Sequence, residues 1–438
     1  MGRYHDAISK NNTGAMISAD QIALWDQQDQ LKNYRTCFLH PEPDMIYLDG
    51  NSLGRLTVQS KEKLMQAIDY QWSQRLIRSW NEGWYEMPKH LSAKLATIIG
   101  AKPNEVMIAD NTSTNLFKLA VAALQLQKGR KQILSDDLNF PADLYILQGV
   151  IDLLKNGHYL DLISSADGVK ISPESVEQRI SEETALLTLS HVVFKSAYLY
   201  PMKKINYMAR NSGALVLWDL SHSAGAVPVH LNQADADLAI GCTYKFLNGG
   251  PGAPAFLYVS ERLQNEIKSP IWGWFGAASP FNFDLQYNPA PGIGQYATGT
   301  PPVLSLTALE PALELIHEAG IDNIRQKSIQ LTELIKDLST EYLLPLGFTF
   351  GSPFNAKERG SHFSLRHTEA YRICQALIAE EIGEQVVIPD FRSPDNIRLG
   401  VNPLYNSYAD IFNAIVQIKQ IMENKWYEKF NREATGVT

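Results

Sequence analysis

The chain has 438 residues, 45% of them hydrophobic and 20% charged, and a formal net charge of −8 from 39 basic and 47 acidic side chains. That composition belongs to a folded protein with room for two or three domains. No lysine or arginine cluster resembles a nucleic-acid or membrane patch, so the expected partners are small molecules or other protein chains.

The N-terminal stretch MGRYHDAISKNNTGAMISADQIAL lacks a basic start followed by an apolar core, and the chain has no window of about 18 uninterrupted apolar residues. A cytoplasmic location is expected. The first 20 residues and the last ten or so read as poorly ordered ends. From about residue 60, helical stretches alternate with short apolar runs bounded by turn residues. QILSDDLNFPAD, TALLTLSHVVF, GALVLWDLSHSAG, ADLAIGCTYKF and PAFLYVS read as strands or strand ends, SVEQRI and NYMARNSG as helices. This alternation predicts an α/β core with a mostly parallel sheet. Near TPPVLSLTALEPALELIHEAGIDNIRQKSIQLTELIKDLSTEYLL the pattern turns helical, with a Gly-Ile-Asp break that predicts two helices. Beyond it FTFGSPF, SHFSLR, EQVVIPDFR and NIRLGVNPL are short strand candidates around a helix carrying Cys374, which suits a smaller α+β domain.

Cys37, Cys242 and Cys374 cannot form an even disulfide framework and have no CxxC spacing for zinc. Ile373, Cys374, Leu377 and Ile378 form one helical stripe, so Cys374 is expected to be a reduced core thiol. Gly250-Pro-Gly252-Ala-Pro-Ala255 fits the letter of a dinucleotide fingerprint, but two prolines interrupt it and another strand follows it.

Lys245 is the stronger lead. A lysine at the end of an apolar run can be desolvated so that its amine is nucleophilic, which suits Schiff-base chemistry; a lone lysine in such a place more often snorkels to the surface. Asp219, 26 positions upstream (245 minus 219), ends the run ALVLWD. A carboxylate at the carboxyl end of a parallel strand sits where α/β proteins bind ligands, and a pyridoxal phosphate ring needs one beside its nitrogen. The pattern alone leaves that cofactor and a structural ion pair both open.

The blocks YLDGNSLGRL, RSWNEGWYEMP, NTSTNLFKL, NFPADLYILQG, WDLSHSAGAVP, CTYKFLNGGPGAPAFLYV, GWFG, GTPPVLSL and NIRLGVNPLYNSYAD, in order from about residue 20 to 425, resemble kynureninase. The resemblance implies a pyridoxal-phosphate-dependent transferase fold of type I, in the class V aminotransferase branch. It further implies an arm over residues 1–55 that joins the small domain, a large cofactor-binding α/β domain over 56–310, and a connecting helix with the small α+β domain over 311–438.

Carried over residue by residue, the resemblance makes Lys245 the lysine that holds the cofactor as a Schiff base and Asp219 the partner of the pyridine nitrogen. Phe140 stacks on the ring. Thr112 and Ser113 hold the phosphate at the start of a helix, where amide groups and the dipole favour an anion. Tyr244, Ser190, His222 and Asp143 complete the cofactor shell, while Trp274 and Thr300 reach it from the partner subunit of a homodimer. Arg398 receives the substrate α-carboxylate, a task suited to a planar and permanently charged donor. Trp84 and the Gly299-Thr300 pair shape the aromatic end of the pocket in the manner of bacterial forms that favour kynurenine over 3-hydroxykynurenine. Asn51 belongs to a matching block near the substrate.

The implied reaction is hydrolytic cleavage of the bond between the β- and γ-carbons of L-kynurenine to anthranilate and L-alanine. Lys245 moves the α-proton and Tyr244 assists the remaining transfers. The segment SHVVFKSAYLYPM departs from the Asn-Tyr-Arg-Thr-Gly that usually follows the family's histidine-valine strand. Another β-substituted amino acid therefore stays open as substrate, as does a non-catalytic protein on the same fold. A cysteine desulfurase is disfavoured, since Cys374 sits on a helix stripe rather than a mobile loop.

Overall fold

The computed structural model describes residues 17–432 apart from Pro43 and Glu384. The expectation of poorly ordered ends lies largely outside these residues, but Ala19 and Asp20 already belong to a helix. In chain order the N-terminal part forms α1 (Ala19–Gln28), β1 (Ile46–Tyr47), α2 (Val58–Gln66) and α3 (Met87–Ile98). The large α/β unit follows with β2 (Val106–Ile108), α4 (Thr112–Leu126), β3 (Gln132–Asp136), α5 (Pro141–Leu154), β4 (Tyr159–Ile163), α6 (Pro173–Arg179), β5 (Thr184–Ser190), α7 (Met202–Asn211), β6 (Leu215–Asp219), β7 (Leu238–Gly241) and β8 (Phe256–Val259). Then come α8 (Val303–Ala319), α9 (Ile321–Tyr342), β9 (Thr349–Phe350), β10 (His362–Arg366), α10 (Ala370–Ile378), β11 (Val387–Ile388), β12 (Asp390–Arg392), β13 (Asn396–Gly400) and α11 (Tyr408–Glu423).

The central sheet has seven strands in the order β2-β8-β7-β6-β5-β3-β4. Only β8 runs against its neighbours; the other contacts, from β7 through to β4, are parallel. Its inner strands are buried on both faces, which is why they read as apolar runs rather than as alternation. Along β6, Val216 and Trp218 enter one apolar cluster while Leu215 and Leu217 enter another with α4, so the sheet has a packed layer on each side. A third cluster joins Ile22 of α1, Ile46 and Leu48 to α9, α10, α11 and the four-stranded antiparallel sheet β12-β13-β10-β9. Strand β1 pairs with β11, so the N-terminal segment is bound to the C-terminal layer.

The helical break falls at Gly320, whose φ of 75° ends α8 before α9 begins. Cys374 is fully buried and unbridged on α10. Three strands lack a strong sequence signal: β1 has two residues, β2 has three, and β4, at the sheet edge, buries little. Lys245 does not end a strand as expected: β7 stops at Gly241, and the lysine lies in the turn beyond, where its carbonyl accepts from the Asn248 amide at 2.9 Å. Among the described residues no helix is long and apolar enough to cross a membrane.

Candidate active site

The loops leaving the carboxyl ends of β3, β5, β6 and β7 meet, the place where open parallel sheets bind ligands. They bring Phe140, Ser190, Asp219, His222, Tyr244 and Lys245 together. Ser190 and Asp219 are register partners at the ends of β5 and β6. The Asp219 carboxylate accepts from the Ser221 amide at 2.8 Å and from its hydroxyl at 2.6 Å. Ser190 Oγ donates to Asn139 Oδ1 at 2.6 Å, and the same oxygen accepts from the Phe140 amide at 2.9 Å. Ser190 thus fixes the loop that presents the Phe140 ring, which faces Lys245 Nζ at 5.8 Å. Tyr244 offers its own ring to the same ammonium at 5.8 Å.

Lys245 Nζ lies 2.9 Å from His222 Nε2. Burial, then the Lys245 charge, pushes the His222 pKa well below its ordinary value, so the ring is neutral. For the ammonium to donate to Nε2, the ring proton must sit on Nδ1, which is buried without a partner. Burial also raises the Asp143 carboxyl well above its usual range, helped by the negative Asp219 and opposed by Lys245. Asp219 is raised by burial and held back by Ser221 and Lys245. Because Asp219 has two donors and Asp143 Oδ2 has none, Asp219 keeps the charge and Asp143 the proton. Burial pushes the Tyr244 phenol up as well, keeping it protonated at neutral pH.

Thr112 and Ser113 open α4, where the Asn111 side chain caps the Thr114 amide at 2.9 Å. The first two amides of that helix have no intrahelical acceptor and face outward for an anion.

Arg398, on β13, is 1% exposed. Its cross-strand partner Asp390 takes Nε and one terminal nitrogen, Phe194 O takes the other terminal nitrogen, and Ser52 Oγ stands 3.3 Å away. The N-terminal segment closes over this edge. The Gly54 amide donates to the Tyr244 carbonyl at 2.8 Å, and a side chain at Gly54 would collide with the Lys245 carbonyl. Asn51 is buried beside Gly400 with neither amide atom bonded.

Trp84, Trp274, Gly299 and Thr300 form a separate group. Trp84 donates to Gln71 Oε1 at 2.7 Å and packs edge-on to Trp80, which contacts Phe275, the neighbour of Trp274. The Phe275 amide donates to Thr298 O at 3.1 Å, and Gly299 and Thr300 line a cleft of about 500 Å³ with Tyr85, Asp110 and Phe275. Among the described residues, no hydrogen bond or ring contact ties this group to Lys245. Its link to the first group is indirect: Thr298 Oγ1 donates to Asp110 Oδ1 at 2.6 Å, just before α4.

The family profile described as the kynureninase C-terminal domain matches residues 324–418. A kynureninase from Pseudomonas fluorescens is 41% identical over 411 residues, 93% of this chain and 95% of that protein. The chain belongs to the kynureninase family. Kynureninases from Burkholderia mallei and Burkholderia pseudomallei are 38% identical over 415 residues, 94% of this chain and 97% of each. Among solved structures, a cysteine desulfurase from Thermococcus onnurineus superposes with a TM-score of 0.75 at 17% identity, covering 94% of this chain and 99% of its own. A mutant of C-DES with glycine linked to its PLP cofactor gives 0.73 at 19% identity, covering 85% and 96%. The chain therefore shares the type I fold of pyridoxal-phosphate enzymes.

Sequence reading missed several residues of the site. Asn139, Phe194, His362 and Asp390 act through contacts distant in sequence; Asn139 and Phe194 fall in stretches singled out in the sequence without a role of their own, whereas His362, on the face of β10 opposite Phe363 and Leu365, and Asp390 left no local signal.

Proposed function

We propose that this enzyme hydrolyses the bond between the β- and γ-carbons of L-kynurenine, giving anthranilate and L-alanine, with pyridoxal 5'-phosphate as cofactor. The observation that carries this reading is the meeting of Lys245 and the Ser221-held Asp219 carboxylate at the carboxyl edge of the central sheet, with the buried Arg398 reaching the Phe194 carbonyl from β13 of the smaller sheet, in a chain 41% identical to a kynureninase. The residues fit the cofactor. An ammonium stands at 5.8 Å over a partly exposed aromatic ring, a carboxylate is kept charged, and free helix amides await a phosphate.

In this reading Lys245 holds the cofactor covalently, Asp219 faces the ring nitrogen and Phe140 covers the ring. Thr112 and Ser113 bind the phosphate, with Tyr244, Ser190, His222 and Asp143 around them. When bound, pyridoxal phosphate supplies an electron sink for charge developing on the substrate α- and β-carbons. Lys245 Nζ takes the α-proton and returns it, and neutral His222 at 2.9 Å orients that amine without competing for the charge. The protonated Tyr244 phenol is a proton donor at the same place. Arg398 holds the α-carboxylate, trading its contacts with Ser52 Oγ and Phe194 O for the substrate.

Trp84, Trp274, Gly299 and Thr300 complete the aromatic end of the site across a homodimer. Their separation from Lys245 supports this, as do the exposed Trp272 and Phe283, each 71% accessible, on the same surface. A cytoplasmic location and the division at residues 55 and 310 belong to the same proposal.

A second reading, a different β-substituted amino acid, has one observation in its favour. Phe194, in the departing segment, packs edge-on against Phe140 at 5.2 Å and lends its carbonyl to Arg398. A comparison of kcat/KM for L-kynurenine and 3-hydroxy-L-kynurenine tests the choice. The first reading predicts cleavage of both with L-kynurenine preferred; cleavage of neither moves the substrate to the second.

A further inference from the structure

Polar side chains without partners concentrate at one point of this structure. His362 is fully buried on β10, and neither ring nitrogen has a partner in full hydrogen-bond geometry; the protein group that approaches the ring as an acceptor is the Phe194 carbonyl. Asn51 is equally buried, with both amide atoms unpaired. His222 leaves Nδ1 unpaired. A buried donor or acceptor left unsatisfied is costly, and five such atoms in one layer call for a common ligand.

Their placement says which part of a ligand they meet. In the β10–β13 register, His362 faces Gly400 and Ser364 faces Arg398, so His362 and Arg398 present their side chains on the same face. The Asn51 amide occupies the space a side chain at Gly400 would fill. On the other side the His362 ring stands 5.5 Å from the His222 ring, and His222 touches Lys245. His362 therefore lies between the arginine and the lysine. An amino acid whose nitrogen replaces Lys245 and whose carboxylate reaches Arg398 sets its α-carbon and carboxylate against this histidine.

We propose that His362, with the Asn51 amide beside it, is a substrate-binding residue that donates a hydrogen bond to the α-carboxylate. The inference rests on the assignment of Arg398 to that carboxylate. A neutral imidazole has one N–H to give. It adds directional hold without a second buried charge next to Arg398, where another cation would repel it. This explains why a buried histidine whose protein neighbours leave its ring without a well-formed hydrogen bond shares a strand face with Ser364, opposite the apolar Phe363 and Leu365.

Equilibrium binding tests it without reference to cleavage. The cofactor-loaded protein is titrated with L-alanine and with ethylamine, which carries the amine but no carboxylate, and the visible band of the cofactor is followed. His362→Leu is expected to weaken L-alanine roughly tenfold or more, the loss of a hydrogen bond to a charged group, and to leave ethylamine unchanged. His362→Gln, which keeps a donor at similar reach, recovers most of the difference. Equal weakening of both ligands, or of neither, overturns the proposal, and a lowered melting temperature shared by Leu and Gln variants without a change in the alanine-to-ethylamine ratio assigns His362 to packing. A wild-type protein that leaves kynurenine intact yet shows the ratio and its loss in His362→Leu refutes the substrate and retains the histidine's role.

Discussion

Arg398 shows how a single residue is made fit for its task. A guanidinium buried to 1% exposure is stable only if its charge is met, and Asp390 meets it from the neighbouring strand while also accepting from Arg392 at 2.9 Å. Removing one partner of such a pair leaves an uncompensated buried charge, costing about 3–5 kcal/mol. Asp390→Ala is expected to lower stability in urea unfolding by that order and to raise KM more than it lowers kcat. Asp49 lies nearby with its pKa pushed up to about 7, by burial first and then by the Asp390 charge. In the unfolded chain it titrates near the ordinary carboxyl value of about 4. Between those values the folded state holds a proton that the unfolded state has lost, so this group makes stability fall as pH rises through that window. Asp49→Asn is expected to remove that fall, giving little change in melting temperature at pH 4 and a gain at pH 8. An unchanged slope would show that Asp49 ionises freely in the fold.

At the scale of elements, the turn after β5 carries the departure from the family pattern. Ala197 adopts φ 64°, a conformation that favours glycine, while its amide donates to Val193 O at 2.9 Å and its carbonyl accepts from Gly360 at 2.8 Å. The left-handed conformation costs a residue with a Cβ about 1–2 kcal/mol, and the extra freedom of an unfolded glycine returns about 0.4–1 of that. Ala197→Gly is therefore expected to leave the protein as stable or slightly more stable, measured by chemical denaturation; a loss of more than about 1 kcal/mol would contradict the strain assigned here. The same scale shows why some elements were legible in the sequence. β3 and β5 through β8 are apolar because both faces are covered, and the helices flanking Gly320 are split by a residue whose φ demands the break. β4 was not legible, since an edge strand with exposed Tyr159 and Leu162 has no such run. The pairing of two-residue β1 with β11 depends on residues more than 300 positions apart and leaves no local pattern. For the same reason Lys245 and Asp219 could be found from their positions in chain, whereas His362 and Asp390 needed the folded register.

The whole molecule leaves a ridge of large apolar groups uncovered: Trp272, Trp274, Phe281, Phe283 and Leu285 lie along the loop that also carries the predicted site residues Trp274, Gly299 and Thr300. Such a surface, with Trp274 stacked on Phe283, is unfavourable in water and suits a second copy of the chain. Phe283→Asp combined with Leu285→Asp is expected to shift sedimentation from dimer to monomer and to reduce cleavage far more than it reduces the melting temperature. A monomeric variant with full activity would show that Trp274 and Thr300 serve no site in another subunit. The central claim spans all three scales: the Lys245 group, set at the carboxyl edge of the sheet, splits L-kynurenine. Its most direct test is to mix the cofactor-loaded protein with L-kynurenine and quantify anthranilate and L-alanine together. Equimolar formation of both, absent in Lys245→Ala, is the predicted result, whereas a shift of the cofactor's visible band with no anthranilate released would contradict it.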